Sequence, residues 1–269
     1  MTHIAFIGLG AMGRRMAQNL VASGETVKTF TPSGRRIEGA EGCGSALEAA
    51  TDARAVLVMV TDDAASGEVW AAMEPALTTD TLCVECSTLS PGHTRQLGAG
   101  HAEKGRAFLE APVAGSRPQA EAAELVFLLG GPAEAKAAFA PLAAIMGRAS
   151  VDAGEVGQGA ALKLVVNALL GLQTAALSEL LRYGERQGLA PETLMQLLGP
   201  TPVLSPSAAA MGGLIAAGKT DPNFTIDLIV KDLGYLTADI GEAPLMQAVQ
   251  ERFEAARAKG QGDRNITAV

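Results

Sequence analysis

A glycine-rich loop near the start of the sequence has the spacing of a phosphate-binding turn. Gly8, Gly10 and Gly13 form a G-x-G-x-x-G motif that follows a short β-rich run and precedes a run with helical spacing. In a βαβ unit the first glycine permits a tight turn, the second lets the backbone approach a pyrophosphate, and the third lets helix and strand pack closely. The sequence therefore predicts a dinucleotide site that includes these glycines and Met12. The competing interpretation is a purely structural turn.

The end of the second predicted strand favours a phosphorylated cofactor. An NAD site usually carries an acidic residue there, about 20 residues beyond the glycine motif, that binds the ribose hydroxyls. This chain has Thr31, Ser33, Arg35 and Arg36 instead. Hydroxyl and guanidinium groups suit a 2′-phosphate, because arginine binds phosphate through a fork of donors. We predict NADP(H) as the preferred cofactor, with NAD(H) as the alternative and a solvated basic turn as the competing interpretation.

A lysine and an asparagine in a long apolar stretch form a candidate catalytic pair. Lys163 and Asn167 are four residues apart, so they project from one face of a helix. Gly159 and Gly171 continue that face, and we expect them to leave room for a ligand. A lysine in a partly desolvated cleft can have its pKa lowered and then serve as a proton donor or acceptor. The competing interpretation is a lysine at a domain edge whose ammonium group reaches solvent.

Strand and helix patterns alternate over the first half of the chain. The glycine motif follows the first predicted strand, and the turn with Thr31, Ser33 and Arg35 follows the second. Continuous apolar runs are typical of a parallel sheet that is covered on both faces. The predicted strands are residues 4–7, 27–30, 55–60, 82–85, 108–111 and 125–129.

The second half of the chain has helical patterns and no strand pattern after about residue 151. One long helix is predicted from 159 to about 187, and further helices follow near 205–217, 225–240 and 244–259. We therefore predict an α/β protein. It has an N-terminal Rossmann-type doubly wound domain (1–155) and a C-terminal all-α domain (156–269), joined by the long helix.

Composition limits the class of function. The 269 residues include 21 Lys and Arg against 29 Asp and Glu, giving a net charge of −8, which argues against a nucleic-acid partner. No uninterrupted apolar run reaches the ~18 residues that span a bilayer, so no membrane association is predicted. The first residues lack the basic region of a signal peptide, and a cytoplasmic location is expected.

Cysteine and histidine spacing gives no strong sign of redox or metal chemistry. Cys43, Cys83 and Cys86 are too few for a disulfide framework. The last two have C-x-x-C spacing, but they lie in a predicted strand rather than at the start of a helix, where thiols are activated. We therefore predict that they are structural. The three histidines lack metal-ligand spacing, and no metal is predicted.

Five stretches, in order along nearly the whole chain, resemble the β-hydroxyacid dehydrogenase family. This family includes 3-hydroxyisobutyrate dehydrogenases, tartronate semialdehyde reductases and glyoxylate/succinic semialdehyde reductases. The stretches are FIGLGAMG at 6–13, CSTLSP at 86–91, EAPVAGS at 110–116, GQG at 157–159 with Lys163 and Asn167, and Phe224 with Lys231-Asp232-Leu233. The amino-acid sequence of residues 115–121, GSRPQAE, most resembles that of the glyoxylate/succinic semialdehyde reductases.

The resemblance implies roles at the matching positions. Lys163 would protonate the carbonyl oxygen as hydride arrives, or accept the proton of the alcohol in the reverse direction. Asn167 would orient the substrate beside it. Thr88 would contact the cofactor near the nicotinamide ribose. Lys231 would reach over cofactor and substrate, although an ion pair with Asp232 on the surface of a helix is the competing interpretation.

The segment that would hold the substrate carboxylate departs from the family pattern at one position. The resemblance places Gly115 and Ser116 in this segment, but Ala114 replaces a serine whose hydroxyl would bind the carboxylate. Ser116 is a candidate replacement. Arg117 would bring positive charge toward an acidic substrate, and a solvated loop arginine is the alternative.

The resemblance implies an NADP(H)-dependent oxidoreductase that transfers hydride between the nicotinamide and a small β-hydroxyacid or semialdehyde acid. Candidate substrates are 3-hydroxyisobutyrate, succinic semialdehyde and glyoxylate, with Lys163 as general acid/base. One alternative is an imine reductase of the same fold, which generally carries another residue where Lys163 stands. A second is a non-catalytic NADPH-binding protein, which only Ala114 favours. A long apolar helix needs cover on several sides, so a homodimer or homotetramer is expected.

Overall fold

The chain folds into two compact units whose boundary lies between Lys163 and Leu164, inside one long helix. This computed structural model describes residues 3–269. The first unit is built on a nine-stranded sheet. The second unit is helical, and its described residues add one isolated antiparallel bridge, between Thr225 and Asn265. The predicted α/β class, with an N-terminal Rossmann-type part and a C-terminal helical part, is confirmed.

The strands of the first unit share one sheet. They are β1 (His3–Ile7), β2 (Val27–Phe30), β3 (Glu41–Gly42), β4 (Ala53–Val58), β5 (Leu82–Glu85), β6 (Phe108–Glu110), β7 (Val113–Ala114), β8 (Leu125–Gly130) and β9 (Gly147–Gly154). The six strands in the order β3-β2-β1-β4-β5-β6 are all parallel. The chain adds strands outward on one side of β1 as far as β3 and then returns to add β4, β5 and β6 on the other side. In such sheets ligands bind outside the carboxyl ends of the strands, at the point between β1 and β4 where the strand order switches.

The far edge of the sheet is mixed, which the sequence pattern did not predict. β8 runs antiparallel to both β6 and β7, and β9 returns parallel to β8. The reason lies in the connection between β7 and β8, residues 115–124. It is shorter than the roughly a dozen or more residues that a parallel crossover needs, so the chain turns back on itself.

The helices account for most of the remaining chain. Those that begin in the first unit are α1 (Gly13–Ala22), α2 (Ala46–Ala50), α3 (Asp63–Met73), α4 (Pro91–Glu103), α5 (Arg117–Glu121), α6 (Ala133–Met146) and α7 (Gln158–Arg186). The second unit adds α8 (Pro191–Leu198), α9 (Pro206–Ala216), α10 (Ile226–Asp239) and α11 (Pro244–Ala256). Single helical turns lie at Glu74–Ala76, Arg257–Gln261 and Ile266–Ala268.

Helix starts follow local sequence signals. The side chains of Ser45, Asp62, Ser90, Ser205 and Thr225 each accept the N–H three residues later, at the starts of α2, α3, α4, α9 and α10. A side-chain oxygen there satisfies one of the N–H groups that the helix leaves unpaired.

Both faces of the sheet are covered by apolar side chains. On β1, Ile4 and Phe6 enter one hydrophobic cluster, and Ala5 and Ile7 enter another. Because successive side chains of a strand point to opposite faces, a strand buried on both sides is predominantly apolar. This explains the unbroken apolar runs in the sequence.

In the second unit, α7 packs closely on α10 and α11. A Cβ atom at Gly171 would lie 3.2 Å from Ile229 Cδ1 and 3.4 Å from Phe253 Cε2. The expectation that Gly171 leaves space for a ligand is therefore wrong, because the missing side chain allows close helix packing. By length and composition alone, α7 is apolar enough to cross a bilayer, but helices in protein cores often meet the same criteria. Half of its most apolar 18-residue segment is buried within the protein.

Candidate active site

The three motif glycines at the end of β1 have different structural roles. Gly8 has a φ of +99°, and a Cβ atom there would overlap the carbonyl oxygen of Met59. A Cβ atom at Gly13 would overlap the carbonyl oxygen of Gly8. At Gly10 a Cβ atom would meet no atom within 4 Å. Packing thus explains Gly8 and Gly13, whereas Gly10 keeps the backbone open toward solvent, as close approach of a ligand requires.

The start of α1 completes an anion-binding arrangement. Met12 occupies the N-cap position, and its side chain makes no capping hydrogen bond. The exposed Gly10 and the N-terminus of α1 therefore fit the pyrophosphate of a dinucleotide, because helix N-termini favour negative charge.

The turn after β2 brings one guanidinium group to the glycine loop and directs another away. Arg35 Nη1 donates to the carbonyl oxygen of Leu9 at 2.8 Å. Arg36 Nη1 donates to the carbonyl oxygen of Gly42 at 2.6 Å, on β3. Thr31 begins a turn closed by the Gly34 N–H, and Ser33 is exposed within it. This donor set fits a phosphorylated ribose, with Arg35 as the arginine that faces the loop.

The loop after β5, which contains Thr88, is fixed by a buried carboxylate that sequence analysis missed. Glu85 accepts hydrogen bonds from Ser66 Oγ at 2.7 Å, Trp70 Nε1 at 2.9 Å and the Ser87 N–H at 2.9 Å. Burial raises the pKa of the Glu85 carboxyl, although these donors oppose the change. Thr88 itself is half-buried. Glu85 lies inside an apolar run, so only its partners distant in sequence reveal its role.

Lys163 and Asn167 lie on α7 one turn apart, and both are buried, with 8% and 4% of their surfaces exposed. In the second unit, Asn167 Nδ2 donates to Asp232 Oδ2 at 2.6 Å. Lys231 Nζ lies 2.8 Å from Asp232 Oδ1 and 4.9 Å from the ring centre of Tyr235. The ion pair of the competing interpretation is therefore present, but its Asp232 carboxylate is buried rather than at the surface and holds the amide of Asn167. Sequence analysis missed this role of Asp232.

A second buried carboxylate holds the start of the helix that carries Lys163. Glu110, the last residue of β6, accepts the N–H groups of Gly157 and Gly159 at 2.7 Å each and of Ala160 at 3.1 Å. Burial raises the pKa of this carboxyl to about 7, and the three N–H donors act in the opposite direction.

The segment expected to hold a substrate carboxylate contains a glycine with a positive φ and a hydroxyl that already has a partner. Gly115 has a φ of +129°. Ser116 Oγ donates to Gln119 Oε1 at 2.6 Å, and the Ser116 N–H donates to the same oxygen at 2.9 Å. Ser116 therefore caps α5, and its hydroxyl hydrogen is already used within the segment. Burial is the main cause of a lowered pKa at Arg117, with nearby Arg14 and Arg15 contributing, so Arg117 is not a fully solvated loop residue.

All three cysteines have raised thiol pKa values. Burial raises the pKa of Cys83 to about 12 and that of Cys86 well above its usual value. Redox thiols need a lowered pKa, so the structural interpretation of this pair is supported.

Ligand atoms of Glu41, Cys43 and Glu48 lie within 4.8 Å of one another. However, Glu48 Oε2 accepts the Gly44 N–H and burial raises the Cys43 pKa, so we assign no ion there.

Two family comparisons together span the described chain. The NAD binding domain of 6-phosphogluconate dehydrogenase matches residues 3–157. The NAD-binding domain of NADP-dependent 3-hydroxyisobutyrate dehydrogenase matches residues 157–269.

Characterised relatives are similar over almost their whole length. The chain is 33% identical to 2-(hydroxymethyl)glutarate dehydrogenase of Eubacterium barkeri, covering 99% of this chain and 93% of the relative. It is 34% identical to 3-hydroxyisobutyrate dehydrogenase of Pseudomonas aeruginosa, covering 89% and 85%. It is 28% identical to glyoxylate/succinic semialdehyde reductase 1 of Arabidopsis thaliana, covering 99% and 96%.

A solved structure shows the same fold over the full chain. The structure of Mycobacterium tuberculosis 3-hydroxyisobutyrate dehydrogenase with L-serine superposes with a TM-score of 0.90 at 28% identity, covering 100% of this chain and 97% of that one. The chain is therefore an NAD(P)-dependent dehydrogenase or reductase acting on CH–OH groups, and it belongs to the β-hydroxyacid dehydrogenase family.

Proposed function

We propose that this chain interconverts a small β-hydroxyacid and the matching aldehyde or keto acid with NADP(H), using Lys163 as the general acid/base. The observation that carries this proposal is the burial of Lys163 on the same helix face as Asn167, whose amide is fixed by Asp232. Burying two polar side chains on an apolar helix costs free energy unless they are hydrogen-bonded or paired, and such buried polar groups are common at catalytic sites.

In the reductive direction, the Lys163 ammonium group donates a proton to the carbonyl oxygen of the substrate. In oxidation, the neutral amine accepts the proton of the alcohol. A nicotinamide held at the glycine loop would supply or accept the hydride, so hydride and proton together would account for the two hydrogens that distinguish alcohol from carbonyl. Asn167 orients the substrate, because its Nδ2–H···Oδ2 bond to Asp232 holds the amide plane in one position.

Cofactor preference can be tested at Arg35. Replacing Arg35 with Ala removes the guanidinium beside Leu9. We expect the KM for NADPH to rise about tenfold or more, since hydrogen bonds to charged groups contribute about 1.5–3 kcal/mol, while the KM for NADH changes little. The matched control is Arg36→Ala, because Arg36 is bonded to Gly42. Equal or better use of NADH by the unaltered enzyme would contradict the NADP(H) preference.

We propose a substrate that carries a carboxylate, with Gly115, Ser116 and Lys231 as contacts. Ala114 offers no hydroxyl and Ser116 is bonded to Gln119, so the arrangement of donors for the carboxylate differs from the family pattern. Initial rates with NADPH on glyoxylate and succinic semialdehyde, and with NADP on 3-hydroxyisobutyrate, would identify the substrate. Reduction of a cyclic imine without turnover of any of these acids would favour an imine reductase.

We also propose a homodimer or homotetramer. Exposed apolar side chains recur along α7, at Val165, Leu169, Leu180 and Tyr183. Several exposed apolar side chains on one helix are consistent with a surface that packs against another subunit. Light scattering should give a mass of two or four chains, and Leu180→Glu should lower it. A wild-type monomer at micromolar concentration would argue against this assembly.

A further inference from the structure

We propose that Glu110 is a positioning residue for Lys163, holding the first turn of α7 in the orientation that catalysis requires. This inference rests on the proposed role of Lys163. It concerns a residue that contributes no proton to the reaction and acts only through the backbone of the helix.

The hydrogen bonds place the carboxylate directly before the catalytic turn. Glu110 Oε1 accepts two N–H groups, and Oε2 accepts the N–H of Ala160. Ala160 lies three residues before Lys163, which is less than one helical turn. The first N–H groups of a helix have no partners within it, so a bidentate carboxylate fixes both the position and the direction of this end of α7.

The surrounding backbone is built to admit this side chain. A Cβ atom at Gly130, which pairs with Glu110 across the sheet, would overlap Glu110 Oε1. A Cβ atom at Gly159 would lie 3.1 Å from Glu110 Cδ and 2.7 Å from the carbonyl oxygen of Leu128. Gly157 has a φ of +96°, which turns its N–H toward the carboxylate. Two glycines therefore make space for the carboxylate, and the backbone of a third donates to it.

Burial of this group carries a cost that ordinary capping does not require. Glu110 is 1% exposed, and a serine or aspartate at the helix end would satisfy N–H groups at lower cost. Arg95 is the nearby positive charge that favours the ionised form. The glutamate reaches from β6 to α7 and thereby connects a rigid strand to the helix, and misplacing a catalytic group by about 1 Å can lower a rate about 100-fold.

The test compares Glu110→Gln and Glu110→Asp with a control at a buried hydroxyl outside the candidate site. In Thr267→Val, the side chain no longer donates to the carbonyl oxygen of Lys219, so stability falls while the hydrogen bonds of Glu110 are kept. We expect Glu110→Gln to lower kcat per cofactor-binding site by about 10- to 100-fold, with the KM for NADPH unchanged. Glu110→Asp should recover part of kcat, and Thr267→Val should keep it. If the glutamine variant does not fold, the partial loss in the aspartate variant is the result to measure.

A double-mutant cycle separates positioning from general loss of structure. In the Lys163→Ala background, Glu110→Gln should lower the residual rate by less than about threefold, because residues that act as a unit are not additive. A fully additive loss, or a glutamine variant with wild-type kcat and a lower Tm, would overturn the positioning role alone. An unchanged rate in Lys163→Ala by itself would instead overturn the proposed function.

Discussion

Lys163→Ala is expected to lower kcat by at least about 100-fold, because general acid–base groups typically contribute 10²- to 10⁴-fold. The KM for NADPH should change little, since the glycine loop and the turn at Arg35, which would hold its phosphates and ribose, are built on elements other than α7. Steady-state kinetics with the preferred acid substrate measures both quantities. Lys104→Ala is the control, because Lys104 forms an ion pair with Glu74 at the end of α4.

Lys163→Arg distinguishes proton transfer from charge alone. Arginine keeps the positive charge but does not release its proton in proteins. We therefore expect a loss close to that of the alanine variant. Turnover near the wild-type rate in the arginine variant would mean that the charge at position 163 matters and its proton does not.

Substitutions in the glycine loop should separate cofactor binding from folding. Gly10→Ala should raise the KM for NADPH about tenfold or more without changing Tm, because its Cβ atom meets no protein atom but would stand where the pyrophosphate approaches. Gly13→Ala should instead lower stability by about 1–3 kcal/mol or more, because its Cβ atom would overlap the backbone of Gly8.

Thermal unfolding and cofactor titration check this pair together. A loss of 1 kcal/mol should lower Tm by roughly 2–4 °C in a protein of this size. Equal losses of Tm in the two variants would contradict the distinction between a packing glycine and a ligand-facing glycine. So would an unchanged NADPH affinity in Gly10→Ala.

Local sequence signals predicted the fold and the glycine loop, since their requirements are local. The apolar runs of β1 and β4 reflect burial on both faces of the sheet, and the spacing of the three glycines lies within one strand–turn–helix segment. β9 escaped prediction because its side chains are mostly exposed and show no apolar pattern. β3 and β7 are two residues long, which is too short for a periodic signal.

The roles of the two buried carboxylates, Glu110 and Asp232, could not be predicted from local sequence patterns. Glu110 binds residues 47 to 50 positions away, and Asp232 binds Asn167 across 65 positions. No spacing rule connects such distant partners. One indirect signal was present: Gly157 and Gly159 precede Lys163, and the structure shows that the second makes room for Glu110. Gly171 on the same face misled, because a small residue at a helix contact resembles one that faces a ligand.

Proton transfer by Lys163 is tested most directly by a single turnover of the NADPH-loaded enzyme with its acid substrate. The account predicts that cofactor oxidation in Lys163→Ala is at least about 100-fold slower than in the wild type. It also predicts that a small primary amine added to the buffer restores part of the rate. Cofactor oxidation at the wild-type rate in Lys163→Ala, with NADPH fully bound and no amine present, would contradict it.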